Sequence, residues 1–175
     1  MHIAVYRSGV MRNTRVILSA TILTIAAVAQ IILSFVLYND NGISILRNIG
    51  WGVLWVSAFF GWFPILSLRK WGNVPEGKGY THTTILVERG VYAIVRHPQY
   101  LAGILMGIAL ALIAQHWIIV ILGAVVGLIT YLDTFEEERG CIEKFGQDYE
   151  RYRKRVPRIN FIFGIVKLLL RRSGS

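Results

Sequence analysis

Three stretches of the chain contain no Asp, Glu, Lys or Arg at all: Val16–Tyr38, Asn48–Leu68 and His97–Leu132. A helix of about 20 apolar residues, rising about 1.5 Å per residue, crosses the hydrocarbon of a bilayer. The first two runs meet that requirement as single helices. The third holds 36 residues, too many for one crossing, and is read as a tight hairpin of helices over 98–114 and 117–132. Gln115-His116 marks its tip, and Trp117 supplies an aromatic of the kind that sits at a membrane interface. The expectation is an all-α integral membrane protein with four transmembrane helices, at 16–38, 48–68, 98–114 and 117–132. With 175 residues, it forms a single domain.

Basic residues set the expected orientation. Of 19 Lys and Arg, three lie in residues 1–15, five in 69–96 and ten in 133–175, against one in 39–47. Four spans with both termini cytosolic place nearly all the positive charge inside. The net charge of +9 is therefore an orientation signal, and a nucleic-acid partner is not expected because the basic residues flank spans. Ala27-Val28-Ala29 has the small residues of a leader-peptide cleavage site behind Arg7, Arg12 and Arg15. The apolar run nevertheless continues to Tyr38, so an uncleaved span is expected. Gly103, Gly107 and Ala111 form a ladder of small residues, as do Gly123 and Gly127, and such ladders allow close helix packing or pairing into a homodimer. Cys141 is the single cysteine, which excludes an intramolecular disulfide and a cysteine-based metal cage. No metal is expected.

Two polar segments remain, at 84–100 and 133–158, both on the expected cytosolic side. In the second, Glu138, Ile142, Phe145, Tyr149 and Tyr152 fall within about 80° of one another on a helix that runs on from the last span. Glu138 thus shares a stripe with groups that seek burial. Glu137 points about 100° away, and Glu136 reads as a solvated acid. In the first segment, YAIVRHPQY (92–100) places Pro98 where a helix tolerates it best, in the first turn. The free N–H groups of that turn attract an anion. Arg96 adds a planar fork of donors suited to a carboxylate or phosphate, and Tyr92 and Tyr100 add aromatic walls. Residues 159–172, with Lys167, Arg171 and Arg172, are too short to span and read as an interfacial anchor.

GVYAIVRHPQY, a membrane hairpin, then EExxCxxxFGxxYxxYxxxVPR: this order resembles the isoprenylcysteine carboxyl methyltransferase family, itself related to membrane phospholipid methyltransferases. The likeness covers Leu86–Arg158. It implies an integral membrane enzyme that uses S-adenosylmethionine, bound on the cytosolic side between the RHP segment and the helix after the hairpin. Position by position, it implies that Tyr92, His97, Pro98 and Tyr100 line the cofactor pocket and that Glu137, Glu138 and Tyr149 complete it. The acceptor implied is a lipophilic or prenylated molecule arriving from the membrane lipids, methylated on a carboxylate. Arg96 and Glu138 are the candidate catalytic residues, with Arg153 and Arg155 as further groups able to orient an acceptor carboxylate.

The chain departs from the family pattern at Cys141, where leucine is usual, and after Arg158, where Ile159-Asn160-Phe161 replaces a segment often carrying a second proline. The loop WGNVPEGKGYTHTTILVERG matches only in part. Methylation of a phospholipid amine is the nearest alternative. It needs a base, for which Glu137 and His97 are at hand. Two other classes are a sterol-reductase-like enzyme reading the same polar corner as a nicotinamide dinucleotide pocket, and a non-catalytic membrane scaffold. Binding of a nicotinamide cofactor instead of S-adenosylmethionine would mark the first, and binding of neither the second.

Overall fold

A computed structural model describes the backbone of residues 2–173 and the side chains of residues 17–171. Arg7, Arg12, Arg15 and Arg172 lie outside the described side chains. The described chain is all helical: α1 (His2–Val36), α2 (Ser44–Trp71), a short 3-10 turn (Gly90–Ala93), α3 (Pro98–Ala114), α4 (Trp117–Phe145), α5 (Gln147–Arg155) and α6 (Phe161–Ser173). Among the described residues, three helical segments are long and apolar enough to cross a membrane: Ile17–Val36 of α1, α2 and α4. Their outward faces carry large apolar side chains such as Phe35, Trp55 and Leu128 in the open, as expected of a membrane protein whose surrounding solvent is lipid.

α3 begins at Pro98 and ends at Ala114 and α4 begins at Trp117, as read from the sequence, and α4 runs on through Leu132, the expected end of the span, to Phe145. Pro98 opens α3 at its first turn, and Gln115 closes it in the left-handed region at φ 49°. His116 caps α4, its Nδ1 accepting from the Ile118 N–H at 3.3 Å. At 17 residues, α3 is at the short end for a crossing. The two helices touch where two glycines meet: a Cβ on Gly123 would lie 2.9 Å from the Gly107 carbonyl oxygen. Those two members of the small-residue ladders are used inside the chain.

α2 makes the most extensive packing against α3, with the Ser57 hydroxyl donating to the Ala102 carbonyl at 2.8 Å. α1 is held to the hairpin by one buried polar side chain that the sequence reading passed over. Gln30 donates from Nε2 to the carbonyls of Gly107 at 2.9 Å and Ile119 at 3.2 Å. Gln30→Leu is expected to loosen α1 by about 0.6–2 kcal/mol, the range for hydrogen bonds between helices in lipid, read as a lower thermal midpoint in detergent. At the end of the hairpin away from the polar segments, the Gln115 side chain pairs with Ile43, accepting from its N–H at 2.7 Å and donating to its carbonyl at 2.8 Å.

The polar segment after the hairpin differs from the single helix expected over 133–158. α4 passes through Gly140 without a break but ends at Gly146, whose φ of 52° is open to glycine and reverses the chain. α5 folds back, and Tyr149, Tyr152 and Val156 pack on Leu86, Cys141, Ile142 and Phe145. The expected anchor begins at Phe161. That ring joins Phe60, Val95, Leu101 and Ala102 in a second apolar cluster, and the Asn160 side chain accepts from the Phe163 N–H at 3.0 Å to start α6.

Candidate functional site

The two polar segments meet through backbone bonds as well as side chains. The N–H groups of Arg96 and His97 donate to the carbonyls of Pro157 at 3.0 Å and Arg158 at 3.1 Å. The Tyr152 hydroxyl donates to the Tyr92 carbonyl at 2.7 Å. These three bonds fasten the loop before α3 to the chain leaving α5, so residues some sixty positions apart form one wall.

Behind that wall sits a buried ion cluster. Glu138 is 5% exposed and faces three basic groups. Arg158 donates to it twice, from Nη2 at 2.7 Å and Nε at 3.2 Å. Arg96 Nη1 lies 2.7 Å away and His97 Nε2 3.3 Å away. The Arg158 guanidinium also lies over the Phe135 ring, 3.7 Å from its centroid, which shields the pair from solvent on that side. Two guanidinium charges against one carboxylate leave the cluster electropositive.

In front of the cluster is a cavity of about 130 Å³ lined by Tyr92, Arg96, His97, Pro98, Tyr100, Glu137, Cys141 and Tyr149, with Leu86 and Phe145 at its edge. All of the sequence-predicted cofactor residues except Glu138 line it. Glu138 stands one layer back, with its oxygens engaged by the cluster, and Glu137 presents the carboxylate on the cavity side, facing the Tyr100 hydroxyl. The His97 and Tyr100 rings meet edge to face at 5.6 Å. Glu136 is exposed and paired with Arg139 at 2.9 Å, as its reading as a solvated acid requires. Arg153 and Arg155 point to the surface, paired with Glu150 and Glu88, and Arg155 lines an outer groove of about 900 Å³ that shares Leu86 and Phe145 with the cavity.

The cavity wall contains polar atoms that lack protein partners of good geometry. Arg96 Nε and the Tyr149 hydroxyl are buried without a well-formed hydrogen bond, although Tyr149 faces the Arg96 guanidinium and the Cys141 thiol. Buried polar atoms in this state are uncommon in folded proteins and call for a partner. Burial, with Glu137 as the next contributor, pushes the Tyr92 phenol well above its ordinary range; burial does the same to Tyr149. Both rings therefore act as neutral walls and donors, not as bases. The arrangement suits a ligand with aromatic surface, a carboxylate for Arg96 and His97, and a cation for Glu137. Its size is below the 300 Å³ or so of an ordinary small-molecule pocket, so a ligand as large as a nucleoside extends past Leu86 and Phe145 toward the outer groove. Among the described residues, no group of three or more His, Cys, Asp or Glu is placed to hold a metal ion.

The sequence model of the phospholipid methyltransferase family matches residues 46–148, and the chain belongs to that family. Within it, the chain is similar to protein-S-isoprenylcysteine O-methyltransferases. It is 33% identical to the protein of that name from Rattus norvegicus over 136 residues, which cover 69% of this chain and 48% of the rat protein. It is 28% identical to that of Schizosaccharomyces pombe over 99 residues, covering 51% of this chain and 42% of the yeast protein. The chain thus spans somewhat under half the length of the curated relatives it matches. No solved structure matches it.

Arg158 is the functional candidate that residue-type reasoning missed. It stood at the end of the VPR motif without a role, and its partner Glu138 lies 20 positions earlier across two chain reversals. The signal available was charge: a lone carboxylate on a buried stripe requires cations from elsewhere.

Proposed function

We propose that the protein is an integral membrane methyltransferase that binds S-adenosylmethionine in this cavity and methylates a lipophilic acceptor, an isoprenylcysteine-type carboxylate. The observation that carries the reading is the cavity wall itself, where Tyr92, Tyr100, Tyr149, Tyr152 and His97 stand with Arg96, and where Arg96 Nε and the Tyr149 hydroxyl lack well-formed bonds. In this reading α3 and α4 both cross the bilayer. The chain has four spans with both termini cytosolic, and α6 lies along the interface.

S-adenosylmethionine, when bound, supplies an electrophilic methyl group on a sulfonium. The chain's own residues bind and orient. His97 and the first turn of α3 hold a carboxylate, and Glu137 holds an ammonium. Tyr92, Tyr100 and Tyr149 exclude water and present ring faces to cationic surface. Arg96, which lines the cavity, orients the acceptor carboxylate. Glu138 is a positioning residue: it touches neither ligand but fixes the Arg96 guanidinium from behind. A carboxylate acceptor is ionised at neutral pH, so proximity and alignment suffice and no base is required. A phospholipid amine is the second reading. It is favoured by the family description and by Glu137, which stands on the cavity side able to take the proton.

The test is calorimetric titration of the detergent-purified protein with S-adenosylhomocysteine. Saturable binding is expected, weakened about tenfold or more in His97→Ala through loss of a hydrogen bond to a charged group. Binding of a reduced nicotinamide dinucleotide in its place, by folded protein, would overturn the reading.

A further inference from the structure

A second concave site lies on the opposite side of the 3-10 turn from the cavity, and it faces the lipid. Its volume is about 260 Å³, and its walls are Phe59, Phe63 and Leu66 of α2, the side of Trp71, and Ile94. Phe59, Phe63 and Leu66 are exposed on the outward face of a helix apolar enough to span. A bilayer leaves no such hollow empty, because the lining would forfeit its dispersion contacts. The available filler is a hydrocarbon chain.

The rim supplies the selectivity. Lys70 is the one charged residue in the lining, with its Nζ 5.1 Å from the centroid of the Trp71 ring. Among the described residues no acidic side chain pairs with it. It sits in the last turn of α2, the level at which a long cationic side chain reaches lipid phosphates. Ser67, which could have offered a second polar contact, is turned inward with its hydroxyl donated to the Phe63 carbonyl at 3.0 Å.

We infer that this groove is a binding site for an anionic phospholipid, with one acyl chain between α2 and Ile94 and the phosphate on Lys70. The site is independent of the methyl-donor reading. Its consequence for the cavity is mechanical: Val91 and Ile94 line the groove while Tyr92 and Arg96 of the same strip line the cavity. A seated lipid therefore braces the outer surface of that strip.

The experiment is native mass spectrometry of the full chain after delipidation and titration with phosphatidylglycerol or phosphatidylcholine. One phosphatidylglycerol should remain bound under detergent conditions that strip phosphatidylcholine. Lys70→Ala should reduce its retention about five-fold, the loss expected for one basic residue at an anionic surface, and Lys70→Arg should restore it. Arg69→Ala is the control, since Arg69 is equally exposed at the same helix end but outside the groove. Equal retention of the two lipids, or an equal loss in Arg69→Ala, would reduce the groove to general interfacial charge and overturn the assignment.

Discussion

Glu138→Gln is expected to cost about 3–5 kcal/mol of stability, the range for removing one partner from a buried ion pair. The side chain keeps its shape, but the Arg96 and Arg158 guanidiniums, with side chains 9% and 21% exposed, lose the carboxylate between them. Relaxation then turns Arg96 away from the cavity, so affinity for S-adenosylhomocysteine falls along with the thermal midpoint. Arg158→Gln in the same background should recover part of the stability, because the cluster would hold one less uncompensated cation. Glu136→Gln provides the comparison: its pair with Arg139 is solvent-exposed, and such pairs are worth about 0–1 kcal/mol. Equal midpoints for the two Gln variants would show that Glu138 does not hold the cluster together.

Gly164→Leu should have the next largest effect, although it lies on the outermost helix. A Cβ at this position would run into the Ile94 carbonyl oxygen, with the Ile94 carbonyl carbon at 2.9 Å and its Cγ2 at 3.2 Å. The obstacle is backbone, so α6 must lift away, at about 1–3 kcal/mol for an overpacked contact. Phe161 then leaves its place against Phe60, where the ring centroids are 5.5 Å apart. Limited proteolysis should cut between Val156 and Phe161 faster than in the unmodified protein. Gly127→Leu is the matched control, because a Cβ there meets nothing within 4 Å. No difference between the two variants would mean that α6 is not seated on Ile94.

Much of the architecture was legible because membrane helices announce themselves by what they lack. The turn of the hairpin is legible to the residue, since Pro98 fixes a helix start and Gln115-His116 breaks an otherwise uniform run, whereas nothing in the helix marks Leu132 as an end. The face arithmetic also separated Glu138, buried, from Glu136, exposed. It could not say what Glu138 is buried against. The stripe ends in a cation cluster supplied by Arg96 and Arg158, and a periodicity on one helix contains no information about partners on another. Gly146 falls within the segment whose periodicity predicts one continuous helix and is instead the reversal point; only its φ of 52° distinguishes it from Gly140. Gln30 went unread for a related reason. Runs were judged by missing charge, and an uncharged amide that satisfies two carbonyls across helices is invisible to that measure.

The two backbone bonds from Arg96 and His97 to Pro157 and Arg158 also bear on how the protein is made. The first half of the pocket leaves the ribosome sixty residues ahead of the second, and α3 and α4 are made in between. Until Pro157 and Arg158 emerge, Arg96 and Glu138 face each other without the second guanidinium that holds the carboxylate from its other oxygen, and the strip from Gly90 to His97 has no edge to bond to. Closure of the pocket wall thus waits on Pro157 and Arg158. A nascent chain halted before Pro157 would have its hairpin formed and its pocket wall open.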